Sequence, residues 1–254
     1  MSELSNQDNW DAHWSDYSDA VGCNPAQKYR HRLMLDLLGE QCGFSEGKLL
    51  DIGSGQGDFA RLAAARWPKA SILGFEMSDV GVQISRKKVP SAIFLPVDLF
   101  APPAEAVSFH EWATCATCSE VLEHVDDPVA FVKAASAYLK PGASLVVTVP
   151  GGPMSLFDKY IGHRTHFSRE SITRVLTDGG LQVQRTYLSG FPFFNLYRGV
   201  VIARGSALID DVRGGEPPVG SLAHTVMSLF DRLFRFNLRN TTAGWQVVAV
   251  ATKV

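Results

Sequence analysis

The amino-acid sequence predicts a doubly wound α/β domain, and two observations carry that reading. Strand-like and helix-like segments alternate from about residue 25 to residue 190, the pattern of a parallel sheet with helices on both faces. Within that alternation a short run, Lys48-Leu49-Leu50-Asp51-Ile52, enters the turn Gly53-Ser54-Gly55-Gln56-Gly57, and an alanine-rich segment follows at once. In open sheets of this kind a ligand binds outside the carboxyl ends of the strands, where such a turn lies.

The elements follow in order. Residues 25–40 carry Leu33, Leu35, Leu37 and Leu38 and read as a helix; residues 48–52 are a buried strand stopped by glycines. Residues 57–67 form a helix ended by Pro68. Residues 71–77 are the second strand, after which Ser78 caps a helix over 79–88. Residues 92–98 give a third, broken strand and 112–119 the fourth. Asp127 before Pro128 is an N-cap with proline in the first helical position, and that helix runs to Lys140, before Pro141-Gly142. Residues 143–150 form the fifth strand. Ser168 caps a helix that ends at Gly179-Gly180, and 181–188 and 245–253 read as strands.

The stretch between those last two strands is too long to be structureless in a compact domain. It contains residues 191–205, a Gly/Pro-rich break at 213–220, and residues 224–238, where Val226, Leu229, Phe230, Leu233 and Phe234 fall on one helical face. Two readings stand: an inserted helical lid, or a helix covering the sheet. The expected division is one domain of 254 residues: a cap segment 1–24, a cofactor-binding core 25–190, a lid insertion 191–243 and a final strand 244–254.

Composition narrows the class. A chain of 254 residues can bury a large core, and 46% hydrophobic with 20% charged residues is ordinary for a folded soluble domain. A net charge of −2 gives no electrostatic footprint for nucleic acid. No run of apolar residues is long enough to span a membrane, and the first twenty residues lack a signal-peptide pattern. Cys23, Cys42, Cys115 and Cys118 are too few and too irregular for a disulfide framework, which suggests a cytoplasmic setting. Cys115 and Cys118 form a C-x-x-C, but in a strand they face opposite sides, against a redox or zinc role.

The turn excludes two familiar ligands. A phosphate-binding P-loop needs Gly-Lys-Ser/Thr, which is absent, and a dinucleotide fingerprint needs glycine at 58, where the chain has Asp58. Asp51 and Asp58 put negative charge where a pyrophosphate would sit, and suit a ligand carrying an ammonium and a sulfonium. Glu76 ends the second strand and can accept both hydroxyls of a ribose. Asp98 ends the third, within reach of an adenine amine. Singly, each acid is more often a cap or a solvated loop residue. The ordered set is harder to explain that way.

Leu49 to Ala60 (LLDIGSGQGDFA), Glu76, Val97-Asp98-Leu99 and Cys118 to Val125 resemble, in that order, the motifs of the class I S-adenosylmethionine-dependent methyltransferase family. The stretch SEVLEHVDDP (119–128) is similar to the branch that contains ubiquinone-biosynthesis methyltransferases. The match covers most of residues 25–190 and the final strand. It implies a Rossmann-like seven-stranded sheet, mostly parallel, with one antiparallel strand near an edge, and S-adenosylmethionine as cofactor. It also implies roles. Asp51, Gly53, Gly55 and Gly57 hold the methionine part, Glu76 the ribose, and Asp98 and Leu99 the adenine. Cys118, Ser119 and Glu120 line the floor near the sulfonium, and Ser54 and Met77 complete the cofactor-binding set.

Methyl transfer from a sulfonium is a displacement aided chiefly by positioning, and an oxygen or nitrogen acceptor also needs a base. His124, His163 and His166 are the candidates, with His13 a lesser one. Glu120, Glu123 and His124 share one face of a helix start, and with His166 they make a candidate divalent-metal set. Some relatives with the E-x-x-E-H pattern use such a metal; many others carry the same residues without one. Trp10, Trp14, Tyr17, Phe191, Phe193, Phe194, Tyr197 and Phe230 are either an apolar acceptor pocket or ordinary core. Arg198, Arg204 and Arg213 could meet an acidic group on the acceptor. The expected activity is methylation of a small lipophilic or aromatic molecule, foremost at oxygen. The alternatives are a non-methylating cofactor-binding member of the fold and an NAD-dependent oxidoreductase. The helix at 224–238 also offers a face for a homodimer.

Overall fold

The computed structural model describes residues 10, 11, 14, 24–40, 42–213 and 221–254. Helix α1 (Pro25–Glu40) precedes three β/α units: β1 (Lys48–Ile52) with α2 (Asp58–Arg66), β2 (Ser71–Glu76) with α3 (Asp79–Lys88), and β3 (Ile93–Pro96) with α4 (Ala104–Val107). Then come β4 (Ala113–Ser119), α5 (Pro128–Ser136), β5 (Leu139–Pro150), α6 (Leu156–Tyr160), α7 (Arg169–Asp178) and β6 (Leu181–Ser189). Helices α8 (Phe193–Arg213) and α9 (Ser221–Leu233) lead into β7 (Gln246–Lys253).

The strands form one seven-stranded sheet in the order β3-β2-β1-β4-β5-β7-β6. β7 runs antiparallel to both β5 and β6, so the reversed strand lies one place from the edge, as the resemblance implied. Helices cover both faces, so the central strands are apolar on both sides. Leu50, Ile52, Leu73 and Phe75 feed one core cluster, and Leu49, Ile72 and Phe94 feed the other. Cys118 joins the first and Cys115 the second, the opposite-facing arrangement that strand alternation requires.

The sequence-read caps recur as hydrogen bonds. The Ser78 side chain accepts from the Gly81 amide, Asp127 from Ala130 next to Pro128, and Ser168 from Ser171 in a capping box. Two boundaries differ from expectation. The helix expected to reach Lys140 stops at Ser136, and β5 begins at Leu139. Pro141 disfavours a helical Lys140, and Leu139 instead pairs with Ala113 of β4. The third strand shortens to Ile93–Pro96.

The long connection holds two helices, and the single apolar face expected on the second divides. Phe230 and Phe234 are buried, whereas Val226 and Leu229 are exposed. The inward pair completes an aromatic cluster with Tyr29 of α1 and with Phe194 and Tyr197 of α8. The Tyr197–Phe230 and Phe194–Phe234 ring centroids are 5.3 and 5.8 Å apart, and the buried Tyr29 hydroxyl bonds Ser189 Oγ at 2.6 Å. Because Phe234 touches four rings of this cluster, truncation leaves a cavity that no single neighbour can fill. Phe234→Ala is expected to cost about 3–5 kcal/mol in urea unfolding. A loss below about 1 kcal/mol would show that the cluster is loosely packed.

Candidate active site

The carboxyl ends of β1, β2 and β4 converge on the glycine turn. Gly53 and Gly55 have φ of 72° and 55°. A Cβ on Gly53 would overlap the Val121 side chain, and one on Gly55 would stand 2.8 Å from the Trp14 ring, so both positions require glycine. The Gly53 and Ser54 amides donate to Phe75 O at 2.8 and 2.9 Å, pinning the turn to β2.

Glu76 is buried at the tip of β2. Its Oε2 accepts from the Gly55 amide at 2.8 Å and its Oε1 from Ser78 at 3.0 Å, leaving lone pairs for further donors. Burial raises its pKa, while the Ser78 and Gly55 amides and the Trp14 side chain oppose the rise. Asp51 accepts from Thr117 Oγ1 at 2.8 Å through Oδ1. Its Oδ2 is buried with no partner among the described residues, as is Ser54 Oγ. Burial pushes the Asp51 pKa up to about 7. A buried acceptor without a donor is the mark of a site built for a ligand's N–H groups.

Three expectations about this crevice need correction or detail. Asp58 does not charge the turn, because Lys88 Nζ sits 2.8 Å from it. Asp98 is exposed and turns its Oδ1 to the Phe100 amide at 2.9 Å, while Leu99 is buried and Met77 exposed. Trp10 and Trp14 line no acceptor pocket with the phenylalanines. Trp14 covers Gly55 and Gly81, Asp11 accepts from Ser78 Oγ at 2.5 Å, and Trp10 meets His124 edge-on at 4.8 Å. Phe194 and Phe230 are core, Phe193 and Tyr197 pack against it, and Phe191 is exposed. His13, Tyr17 and Cys23 lie outside the described residues, as does the Arg213 side chain.

A second polar cluster lies past β4 and β5. Cys118 is buried, and Ser119 Oγ bonds Thr148 Oγ1 at 2.8 Å. Glu120 has φ of 55°, and its carboxylate accepts from Gln246 Nε2 at 2.9 Å and faces Arg30 at 3.6 Å. Residues Leu122–His124 form a single 3-10 turn and no helix start, so Glu120 and Glu123 do not share a face. Glu123 is fully buried, and among the described residues neither carboxylate oxygen has a partner outside its own residue. Burial, then the Glu120 charge, pushes its pKa well above the carboxylate range.

The residues gathered around Glu123 are His124 and His163, with one ligand atom from each within 4.8 Å of the others. The expected metal set Glu120, Glu123, His124 and His166 is therefore corrected. Glu120 is turned to Gln246 and Arg30, and His163 takes the place given to His166. His166 instead joins Asp158 and His163: its Nε2 lies 3.3 Å from His163 Nδ1 and 3.7 Å from Asp158 Oδ2. Burial lowers the His163 pKa to about 3, with His124 adding to the fall. The imidazole is thus neutral near pH 7, and its burial disfavours taking up a proton.

Sequence reasoning missed Asp158 and misread Arg198. Burial opposes the Asp158 charge, yet two hydrogen bonds from Arg198, at 3.0 and 2.6 Å, and the Ser155 contacts hold its pKa at about 2. The available signal was the Ser155-x-x-Asp158 capping box. Arg198 is committed to Asp158 rather than to an acceptor, and Arg204 is exposed.

Residues 26–186 match a family model described as a methyltransferase domain. A ubiquinone biosynthesis O-methyltransferase of Acinetobacter baumannii (strain ACICU) is 29% identical over 174 residues, covering 67% of this chain and 67% of that protein. Among solved structures, Haemonchus contortus phosphoethanolamine N-methyltransferase 2 in complex with S-adenosyl-L-methionine aligns with a TM-score of 0.64 at 16% identity, over 99% of this chain and 60% of that one. The [4+2]-cyclase SpnF aligns with a TM-score of 0.59 at 19% identity, over 89% of this chain and 82% of that one. At these identities the two structures share the fold.

Asp51 gives a pH-dependent test of the crevice. Its folded pKa of about 7 lies above the ordinary 3.8. Its contribution to stability is therefore fully present below 3.8 and is lost as the pH rises through about 7. Asp51→Asn keeps the neighbouring hydroxyl bond without the charge. Its stability relative to wild type, from urea unfolding, is expected to climb between pH 4 and pH 8. A difference that stays flat with pH would contradict the buried, ligand-free carboxylate.

Proposed function

The chain belongs to the methyltransferase-domain family and is a class I S-adenosylmethionine-dependent methyltransferase; from that premise we propose that it methylates a hydroxyl oxygen of a small lipophilic or aromatic acceptor. The observation that carries the acceptor half of this reading is the trio of buried Glu123 and half-buried His124 and His163, the first two next in sequence to the crevice floor. Family membership sets aside the NAD-dependent oxidoreductase.

S-adenosylmethionine supplies an electrophilic methyl group on a sulfonium. The unpartnered Asp51 Oδ2 fits its ammonium, and Glu76, held by two amides, fits its ribose hydroxyls. Asp51, Gly53, Ser54, Gly55 and Gly57 would hold the methionine part, with Met77, Asp98 and Leu99 around the adenine. Cys118, Ser119 and Glu120 would form the floor. Held there, the cofactor would supply its methyl group to the acceptor oxygen and would leave as S-adenosylhomocysteine, so the task of these residues would be to hold the two in line. The hydroxyl proton would go to an imidazole of this loop, foremost His166, whose Nε2 lies 3.3 Å from His163 Nδ1; His163, whose burial disfavours its protonated form, and His124 stand behind it.

One carboxylate and two imidazoles are a serviceable divalent-cation set, and the Glu123 carboxylate accepts no hydrogen bond from another described residue. A bound cation would neutralise that carboxylate and draw an acceptor hydroxyl toward the histidines. Oxygen as the acceptor atom also accords with the name of the Acinetobacter relative. Residues 191–243 would close over the acceptor as a lid, in a cytoplasmic enzyme.

Glu76→Gln is expected to weaken S-adenosylhomocysteine binding at least about tenfold in isothermal titration calorimetry, with the circular dichroism unchanged. Wild-type affinity in that variant would remove Glu76 from the cofactor. With catechol as probe acceptor, S-adenosylhomocysteine release should fall in EDTA and return with Mg²⁺ or Zn²⁺, and Glu123→Gln should abolish the rescue. A rate indifferent to EDTA would dispose of the metal.

A further inference from the structure

Helix α9 is apolar on two sides. Phe230 on the helix and Phe234 just past its end are buried in the aromatic cluster, while Val226 and Leu229 are 41% and 53% exposed. The outward stripe continues past the helix end into Phe236, the most exposed aromatic residue described, at 72%. Leu238 follows, also exposed, and bridges to the exposed Phe191 through its amide and the Phe191 carbonyl at 2.7 Å. On α8, Leu196 and Val200 are exposed one turn apart, on either side of Tyr197, which packs against Phe230.

Among the described side chains the unpaired charges on this surface have one sign; Asp210 and Asp211, at the end of α8, lie outside that set. Arg232 and Arg235 are exposed and have no ion pair or hydrogen bond among the described residues. Between residues 225 and 239 the one acid is Asp231, and it is turned inward to Arg32 at 2.8 Å. Residues 193–207 contain no acid.

We propose that the outward face of α8, α9 and the turn to Leu238 docks on the surface of a lipid bilayer that carries anionic headgroups. Exposed Phe and Leu side chains interleaved with free arginines suit that boundary. The apolar groups enter the headgroup region and the guanidinium groups meet phosphate oxygens. A second copy of the chain fits less well, since a two-fold contact through this face would set Arg232 and Arg235 against their own copies with no acid between them. Among the described residues no helix is long and apolar enough to cross a membrane, so the attachment is peripheral. The docking itself does not rest on the acceptor assignment.

The test is co-sedimentation of the whole chain with phosphatidylcholine vesicles and with vesicles containing about one-third phosphatidylglycerol. Binding to the anionic vesicles is expected to be at least about tenfold tighter than to the neutral ones, and to weaken as salt is raised. Leu229→Asp with Phe236→Asp, and separately Arg232→Glu with Arg235→Glu, should each reduce it at least about tenfold while S-adenosylhomocysteine binding stays at the wild-type value. Retained cofactor binding shows that the variants are folded and separates this result from the cofactor assignment. Absence of vesicle binding, or binding indifferent to both double substitutions, overturns the proposal. So does a dimer in analytical ultracentrifugation that Leu229→Asp with Phe236→Asp dissociates.

Discussion

Burying an ionised carboxylate without a donor or a cation costs several kcal/mol, and this chain buries two acids whose pKa values are raised by that burial, Asp51 in β1 and Glu123 in the 3-10 turn after β4. Asp51 keeps one oxygen satisfied by Thr117 and leaves the other bare, and Glu123 leaves both bare. The sheet accounts for how they get there. β1 and β4 are central strands, so whatever side chain stands at their tips is enclosed by neighbours on both sides and by the turn above. A core-forming sequence gains nothing from acids in such places. The two bare sites differ in what they suit: Asp51 adjoins the glycine turn and fits an ammonium, while Glu123 adjoins two imidazoles and fits a cation.

Much of this was legible in the sequence because it rests on local chemistry. The strand–glycine–helix unit at residues 48–66, the Ser78, Asp127 and Ser168 caps and the tip position of Glu76 each depend on a few consecutive residues. The reversed strand β7 was legible through the family resemblance rather than through periodicity. What failed depended on distant partners. Asp58 looked like part of the ligand site because nothing local announced Lys88 thirty residues on. Glu120 looked like a metal ligand because i, i+3, i+4 spacing presumes a helix, and the chain makes a 3-10 turn after a residue with positive φ. His163 and His166 lie three residues apart in a loop, where spacing alone cannot rank them.

The insertion was the hardest region for the same reason. Periodicity placed five apolar residues of α9 on one face, but a wide apolar arc on a short helix can be cut in two by the neighbour it packs against. Tyr29 of α1 takes Phe234, Tyr197 of α8 takes Phe230, and Val226 and Leu229 stay exposed. Arg198 likewise looked free in the sequence and is in fact the tie between α8 and the histidine loop, through Asp158. The insertion is thereby fastened to the loop that holds His163 and His166, so the placement of α8 and of the two imidazoles is linked through one buried carboxylate, Asp158.

The account stands or falls on the crevice at the tips of β1 and β2. A crystal structure grown with S-adenosylhomocysteine tests it most directly. The ligand's ammonium should fall within hydrogen-bond distance of Asp51 Oδ2, its ribose hydroxyls should meet Glu76, and the Trp14 ring should have left its place over Gly55. A saturated crystal in which Trp14 still covers Gly55 and the ligand lies elsewhere would contradict it.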